Sequence, residues 1–468
     1  MGPDRRGSRN ALRRAAAWWL SALIVVGSAR GSDIPEVQPL TPAAVAGLKD
    51  ADDGLWESQL EEFTARLQKL EQGDRKRADE ARAKADKDKL TPTIKWTGQL
   101  QADHYWFDQD SESVATYGDI QDGSAFRRAR FGMFGEYGLS EYRIEVDFAL
   151  SGRPSFLDVW AGLHELPGIG RVRIGHFFEP YSLERLTPNR FLTFMERALP
   201  DQPFAPARNL GASVNNTWDD DHGTWAVGFF RSDSDVFGDD VGDGFESAVT
   251  GRLTWLPWYD ESRGLDLLHL GAAYSIRGTS NGVARFRAQP EARIGAATPN
   301  VPFFVDTGNI PADWFQLIGL EAAWVRGPFS LQGEYNFVPV DADAGSLLFT
   351  GWYVQTTLFL TGEHRPYRRD LALFDRVKPH TEFVRRADDG ERICVGPGAW
   401  EIAARLSQLD LNDGPVAGGK ITDFTVGLNW HMSKYMRVTA NYVLASSVPA
   451  GSDRTRTNIF ATRFGYEF

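Results

Sequence analysis

Cysteine is almost absent from this chain: among 468 residues only Cys394 carries a thiol. One cysteine cannot staple its own chain, and alone it cannot build a zinc or iron–sulfur site. The plainest reading of Cys394 is a partly buried small side chain. Long apolar runs are missing too. Past the first thirty residues no stretch of about 18 apolar residues occurs, which excludes a helical membrane protein. There is no glycine-rich loop followed by Lys and Ser or Thr, hence no P-loop nucleotide site, and no His-Glu-x-x-His, since His164-Glu165 has no histidine three residues on. The eight histidines are scattered singly. No catalytic residue, metal centre or cofactor is expected, and the chain does not read as an enzyme. Positive net charge is also lacking. The formal charge is −12, and a surface of that sign does not attract nucleic acid.

The amino-terminal ninety residues differ from the rest. Arg5, Arg6, Arg9, Arg13 and Arg14 precede an apolar run over 15–26 and the small residues Gly27, Ser28 and Ala29, which is the pattern of a secretory signal peptide over 1–29. Its five arginines and one aspartate carry +4, so its removal leaves the chain at −16. Residues 30–54, rich in Pro, Ala and Asp, read as a linker. Leu60, Phe63, Leu67 and Leu70 recur at a heptad-like spacing, and 71–89 is nearly all Ala and charged residues. Residues 55–90 therefore read as a periplasmic helical or coiled-coil segment, the alternative being a disordered spacer.

From residue 93 to residue 468 the period of hydrophobicity is two. In 141–150, Tyr142, Ile144, Val146, Phe148 and Leu150 oppose Glu141, Arg143, Glu145, Asp147 and Ala149; in 127–137, Arg128 and Arg130 oppose Ala129, Phe131 and Met133. The texture returns in 171–176, 208–218, 224–231, 246–258, 265–277, 314–326, 329–338, 352–360, 399–411, 423–431, 435–444 and 457–468. Segments 156–164 and 283–293 are ambiguous, the second because Pro290 suits a central strand poorly. The strands are long, their polar face carries full charges, and aromatics such as Trp96, Trp218, Trp258, Trp352 and Tyr466 sit at strand ends, as interfacial girdles require. In lipid every backbone polar group must be paired, so such strands close on themselves. The fold expected is all-β: a transmembrane antiparallel β-barrel of 16 strands in the outer membrane of a Gram-negative-type cell, with an aqueous lumen. Tight turns are expected at 138–140, 327–328 and 432–434. Long loops are expected at 109–124, 179–207, 233–244, 278–313, 341–347 and 364–397, the short class on the periplasmic side and the long class outside.

Several blocks together resemble one family. They are Phe126-Arg127-Arg128-Ala129-Arg130-Phe131-Gly132, Val172-Arg173-Ile174-Gly175 leading into Phe178-Glu179-Pro180, and Phe359-Leu360-Thr361-Gly362-Glu363-His364-Arg365-Pro366-Tyr367. Gly398-Ala399-Trp400-Glu401-Ile402-Ala403-Ala404-Arg405, Val426-Gly427-Leu428-Asn429-Trp430 and the carboxy-terminal alternation Phe464, Tyr466, Phe468 complete the set. In this order and spacing they resemble the phosphate-selective porin family of the outer membrane. The resemblance implies a 16-stranded barrel, a homotrimer, and passage of small anions, phosphate among them, past an arginine-lined wall. Some members add a lysine cluster; lysine is scarce in this barrel region, and the arginines are interleaved with acids.

Face assignment supplies the candidate anion-pathway residues. A charge on the lipid face costs about 2–4 kcal/mol near the midplane, so Arg128, Arg130, Arg143, Arg171 and Arg173 face the water. Two outcomes stay open for them. Either they form a ladder whose forked donors match phosphate or carboxylate oxygens, or they pair with Glu145, Asp147 and Glu179 into a neutral network. The loop over 179–207, with Glu184, Arg185, Arg190, Glu196 and Arg197, is a candidate to enter the lumen and set its width. The acidic face of 141–147 lacks a serine or threonine with a histidine beside it and reads as lumen wall. Asp233, Asp235, Asp239, Asp240, Asp243 and Glu246 make either a solvated loop or a calcium loop, without EF-hand spacing. The alternative to a porin is a structural or wall-anchoring barrel, which a single-channel recording separates from it.

Overall fold

The computed structural model describes Lys76 and residues 91–468, except 151, 233–236, 238–245, 263, 297–299 and 388–391. The signal peptide over 1–29, the linker over 30–54 and the helical segment over 55–90 lie outside the described residues, save Lys76 alone. So does the acidic loop apart from Glu246.

Sixteen long strands form the barrel: β1 (Lys95–Gln109), β2 (Gly123–Tyr137), β3 (Ser140–Asp147), β4 (Ser155–Leu166), β5 (Gly170–Phe178), β6 (Arg208–Trp218), β7 (Gly223–Arg231), β8 (Ser247–Asp260), β9 (Asp266–Gly278), β10 (Ile310–Arg326), β11 (Phe329–Ala342), β12 (Gly345–Phe359), β13 (Ala399–Asp413), β14 (Val416–His431), β15 (Met436–Val448) and β16 (Thr455–Glu467). Each pairs antiparallel with its neighbours in sequence. β1 then pairs with β16, from Gln99↔Glu467 to Gln109↔Thr457, and this removes the last sheet edge. Phe468 completes the seam: its backbone N–H and C=O exchange 3.1 Å bonds with Gly98. A Cβ on Gly98 would stand 2.3 Å from the Phe468 ring, so that position has no room for a side chain. The ambiguous segment over 156–164 is part of β4. Segment 283–293 holds only two-residue strands within a loop, with Pro290 outside them, as a residue without an N–H donor prefers.

Period two sorts the wall. Phe131, Ile144, Ile174, Leu253, Leu320, Ile402, Phe424 and Phe464 are exposed on the outer face, while Gln99, Gln101, Asp103, Glu145, Arg252, Glu321, Arg405 and Arg463 are buried inside. The barrel is not hollow. Near the loop end, Tyr105, Phe204, Phe286, Phe304, Phe349, Leu409 and Ile459 join one apolar cluster; near the other end, Leu183, Leu267, Val325, Tyr367 and Phe374 join a second.

Connections after even-numbered strands all lie at the end where β1 begins and β16 finishes. They are tight after β2, β4, β6, β8, β10 and β14, which makes this the periplasmic end. Two expectations about loops are corrected. Segment 341–347 is a two-residue turn, because β11 runs on to Ala342 and β12 starts at Gly345. Segment 364–397 is long but periplasmic, since it follows the even-numbered β12; strand parity fixes its side, and length alone does not reveal it.

Candidate functional site: an arginine-lined constriction

The site begins with an irregularity in β2. Its register against β1 shifts between Gln101 and Ala102, so that Arg128 opposes Gln101 and Phe126 opposes Ala102. Arg127 is the extra residue of a β-bulge, which re-aims the side chains around it. Phe126 faces outward, 58% exposed, whereas Arg127 and Arg128 both turn inside. Strict alternation would have sent one of two consecutive arginines into lipid.

The connection over 179–207 folds into the lumen and is bonded to strands around much of the wall. At its start Glu179 accepts from Arg277 of β9 (2.6 Å). The Glu184 backbone N–H donates to Glu334 of β11, and Arg190 donates to Thr97 of β1 (3.1 Å). Carbonyls of Leu192, Thr193 and Glu196 accept from Arg437, Asn429 and Arg405. Glu196 receives Arg127 and Arg463, each at 2.9 Å. The connection over 279–309 follows it inward. There Glu291 accepts from Arg405 (2.5 Å), Ser407 and Thr425. From the periplasmic end, segment 360–398 enters too: Arg365 donates to Gln332, the Ala372 carbonyl accepts from Arg252, and Tyr367 bonds His269.

Between the wall and the first two connections lies a cavity of about 600 Å³ lined by seven arginines and two carboxylates. Arg127 and Arg128 come from β2, Arg185 and Arg197 from the first connection, and Arg285, Arg287 and Arg293 from the second; the acids are Glu196 and Asp201. Arg127 is held by Glu196 and Arg185 by Asp201 (3.1 Å). Arg128 donates from Nη1 to Gln101 (2.6 Å), and its Nε, like those of Arg185 and Arg293, has no hydrogen-bond partner. The field of this cluster shows in the loop groups. Burial raises the Glu196 carboxyl, but Arg127, Arg128 and Arg463 outweigh it and hold it well below the usual range. Burial and then the Arg127 charge lower Arg293. A second, much tighter space toward the periplasm is lined by Arg190, Arg365, Arg376, Lys434 and Arg437 against Asp375, Glu401 and Glu467.

All five arginines singled out in the sequence lie on the inner wall, and only Arg128 reaches the cavity. Arg130 pairs with Asp147 (2.8 Å) and Arg143 with Glu145 (2.6 Å), while Arg171 and Arg173 share Glu141 (3.0 and 3.2 Å). Glu179, considered as their partner, instead serves Arg277. Arg127, Arg285, Arg287 and Arg293 escaped the alternation argument. The Arg127-Arg128 pair inside a strand was the available signal for a bulge; the loop arginines left none.

The family model for phosphate-selective porin O and P matches residues 94–468. Porin O of Pseudomonas aeruginosa is 26% identical over 416 residues, covering 80% of this chain and 88% of that protein. An uncharacterized protein of Caulobacter vibrioides is 27% identical over 364 residues, covering 74% of this chain and 68% of its own. Among solved structures, an anion-selective porin from Comamonas acidovorans superposes with a TM-score of 0.49 at 13% identity, over 81% of this chain and all of that one. With its family motif spanning the whole barrel, the chain belongs to the phosphate-selective porin O and P family and is an outer-membrane porin.

Proposed function

We propose that this porin selects small anions, phosphate among them, at the cavity where Arg127 and Arg128 meet the two inserted connections. One observation carries the reading: seven arginines face two carboxylates around a space of about 600 Å³ between the wall and the inserted connections. Guanidinium forks match phosphate oxygens in two-point geometry, and a confined cationic field draws anions and repels cations. Arg128 lines the cavity and donates from Nη1 to the neutral Gln101 rather than to an acid, a bond it can trade for one to solute. Arg130, Arg143, Arg171 and Arg173 act at a distance in this reading. Their acid partners hold them along the wall and reduce their field. The family also supports assembly as three copies, which the mass of the detergent-solubilised protein before and after heating tests. For selectivity the test is the reversal potential across a salt gradient, followed by block of chloride current by added phosphate. Cation preference in the unmodified protein would sink the proposal.

A further inference from the structure

The cavity arginines are not equally engaged. Glu196 takes Arg127 (2.9 Å), Asp201 takes Arg185 (3.1 Å) and stands 3.9 Å from Arg197, and Asp306 takes Arg285 (2.5 Å). Among the described residues no carboxylate pairs with Arg128, Arg287 or Arg293. Arg128 bonds Gln101 and Arg293 donates to the Ala296 carbonyl (3.2 Å), whereas Arg287 lies over the Phe303 ring, 4.2 Å from its centroid. A guanidinium stacked on a ring keeps its whole fork of N–H donors for a solute. Arg287 is therefore the cavity arginine most in need of an external support, because no bond of its own side chain fixes where it stands.

The backbone beneath Arg287 is a two-residue ladder, Arg287↔Asp306 and Ala288↔Val305, within the second connection. The first connection holds it through Gln202, which lies in the one-turn helix Asp201–Phe204. The Gln202 Nε2 donates to the Gln289 carbonyl (2.9 Å), and its Oε1 accepts from the Gln289 backbone N–H (3.0 Å). One side-chain amide thus meets both backbone groups of one residue, as a neighbouring strand would. Among the described residues these are the only hydrogen bonds between the two connections. Two positions on, Phe204 packs edge-on against Phe286, 5.8 Å between centroids. Past Gln289 the chain is tied to the barrel wall, where Glu291 accepts from Arg405. A neutral amide suits the place. A carboxylate there would leave the Gln289 carbonyl unmet and would cancel part of the cationic field, while an apolar side chain would leave both backbone groups without a partner.

We propose that Gln202 is a positioning residue for anion selection: its amide clasps the second connection so that Arg287 presents an unpaired guanidinium to the cavity it shares with Arg128. The inference rests on the reading of that cavity as the selecting site. Without the clasp the short ladder is free to shift, and Arg287 can turn to Asp306, its cross-strand neighbour. An arginine with a free fork then becomes a paired one, with no charge removed from the chain.

The test uses the full-length protein and Gln202→Met, which keeps the length of the side chain and removes both bonds. The variant should lower the anion-over-cation permeability ratio by about two- to threefold, read from reversal potentials. Arg287→Ala should lower it as much. The double variant should fall no further than Arg287→Ala alone, because Gln202 acts through that side chain. A spin label on Arg287→Cys, in a Cys394→Ser background, reports the positioning directly. Gln202→Met should sharpen its spectrum, while a label on Asp453→Cys, in another exposed connection, stays unchanged. An unaltered spectrum at 287 would overturn the clasp, whatever the channel selects. A sharpened spectrum with unaltered selectivity, or with losses that add in the double variant, would overturn the route through Arg287. Cation preference in the unmodified protein would sink the reading of the cavity and with it the part of Arg287 in selection, and the label would still decide whether Gln202 holds the connection.

Discussion

Two groups of arginines line this lumen, and they differ in company more than in number. On the wall of β2, β3 and β5, Arg130, Arg143, Arg171 and Arg173 are matched by Asp147, Glu145, Asp158 and Glu141. Around the cavity, seven arginines meet three carboxylates: Glu196 and Asp201 in the lining, and Asp306, which holds Arg285 (2.5 Å) from outside it. A paired guanidinium already has its fork occupied by oxygen, and its field is cancelled a few ångströms away; an arginine crowded by others projects its field into the space before it. In the reading proposed above, the same residue type thus builds a charged wall in one place and an anion-attracting space in the other. The difference comes from the two inserted connections, which bring five of the seven cavity arginines.

The largest effect expected follows from removing the strand-borne pair. Arg127→Ala with Arg128→Ala should cut the anion-over-cation permeability ratio by about tenfold, read from reversal potentials. Arg171→Ala with Arg173→Ala, which deletes as much positive charge from the wall, should change it far less. Equal losses in both double variants would abolish the distinction. Removing Arg127 also leaves Glu196 with one ion-pair partner fewer, so the channel should show more frequent closures as well.

The reverse manipulation sharpens the comparison. Asp147→Asn and Glu141→Gln release Arg130, Arg171 and Arg173 from their acids and turn wall arginines into cavity-like ones. Anion preference should rise by roughly two- to threefold, a smaller change because the freed groups stand partly open to screening solvent. Breaking a buried pair has a structural effect as well. Arg405→Leu leaves Glu291 and Glu184 buried without their cation, which costs on the order of 3–5 kcal/mol. Its readout is a lower temperature for heat-induced loss of the folded band on a denaturing gel.

How far the sequence could reveal this follows from the same contrast. Alternation is a local property, and it is enforced by the cost of placing charge in lipid. Ile144 opposite Glu145 and Ile174 opposite Arg173 therefore showed their faces directly, and long strands with charged inner faces implied closure. The ends of the strands carried less information. Asp341 to Gly345 is polar enough for a loop, yet its backbone pairs through to Ala342↔Gly345. The side on which 360–398 emerges depends on counting every strand before it. The cavity was least visible, because Arg128 and Arg293 meet through connections whose course is set by distant anchors such as Arg405 and Arg463. Within β2 the doubled arginine was a readable exception, since two neighbouring charges cannot both face inward without a bulge.

The smallest effect concerns pH, and it separates two carboxylates of the same inserted connection. Glu196 is pushed up by burial, but Arg127, Arg128 and Arg463 hold it well below the ordinary value. Because its carboxyl is depressed in the folded state, the docking it supports is complete above the unfolded value near 4.3 and is lost only as pH falls through the lower folded value. Between pH 8 and pH 5 Glu196 should therefore contribute no change. Glu184 behaves oppositely. Burial raises it, with Arg405 opposing and Asp201 adding to the rise, so its influence on stability is present at low pH and declines as pH climbs through the raised value. Of these two carboxylates, only Glu184 should then contribute to a step in closure frequency as pH rises: Glu184→Gln should reduce that step, and Glu196→Gln should leave it in place while raising closures at every pH. A step that vanishes in Glu196→Gln and survives in Glu184→Gln would reverse the assignment, and would mean that the arginines around Glu196 are screened far more than their burial implies.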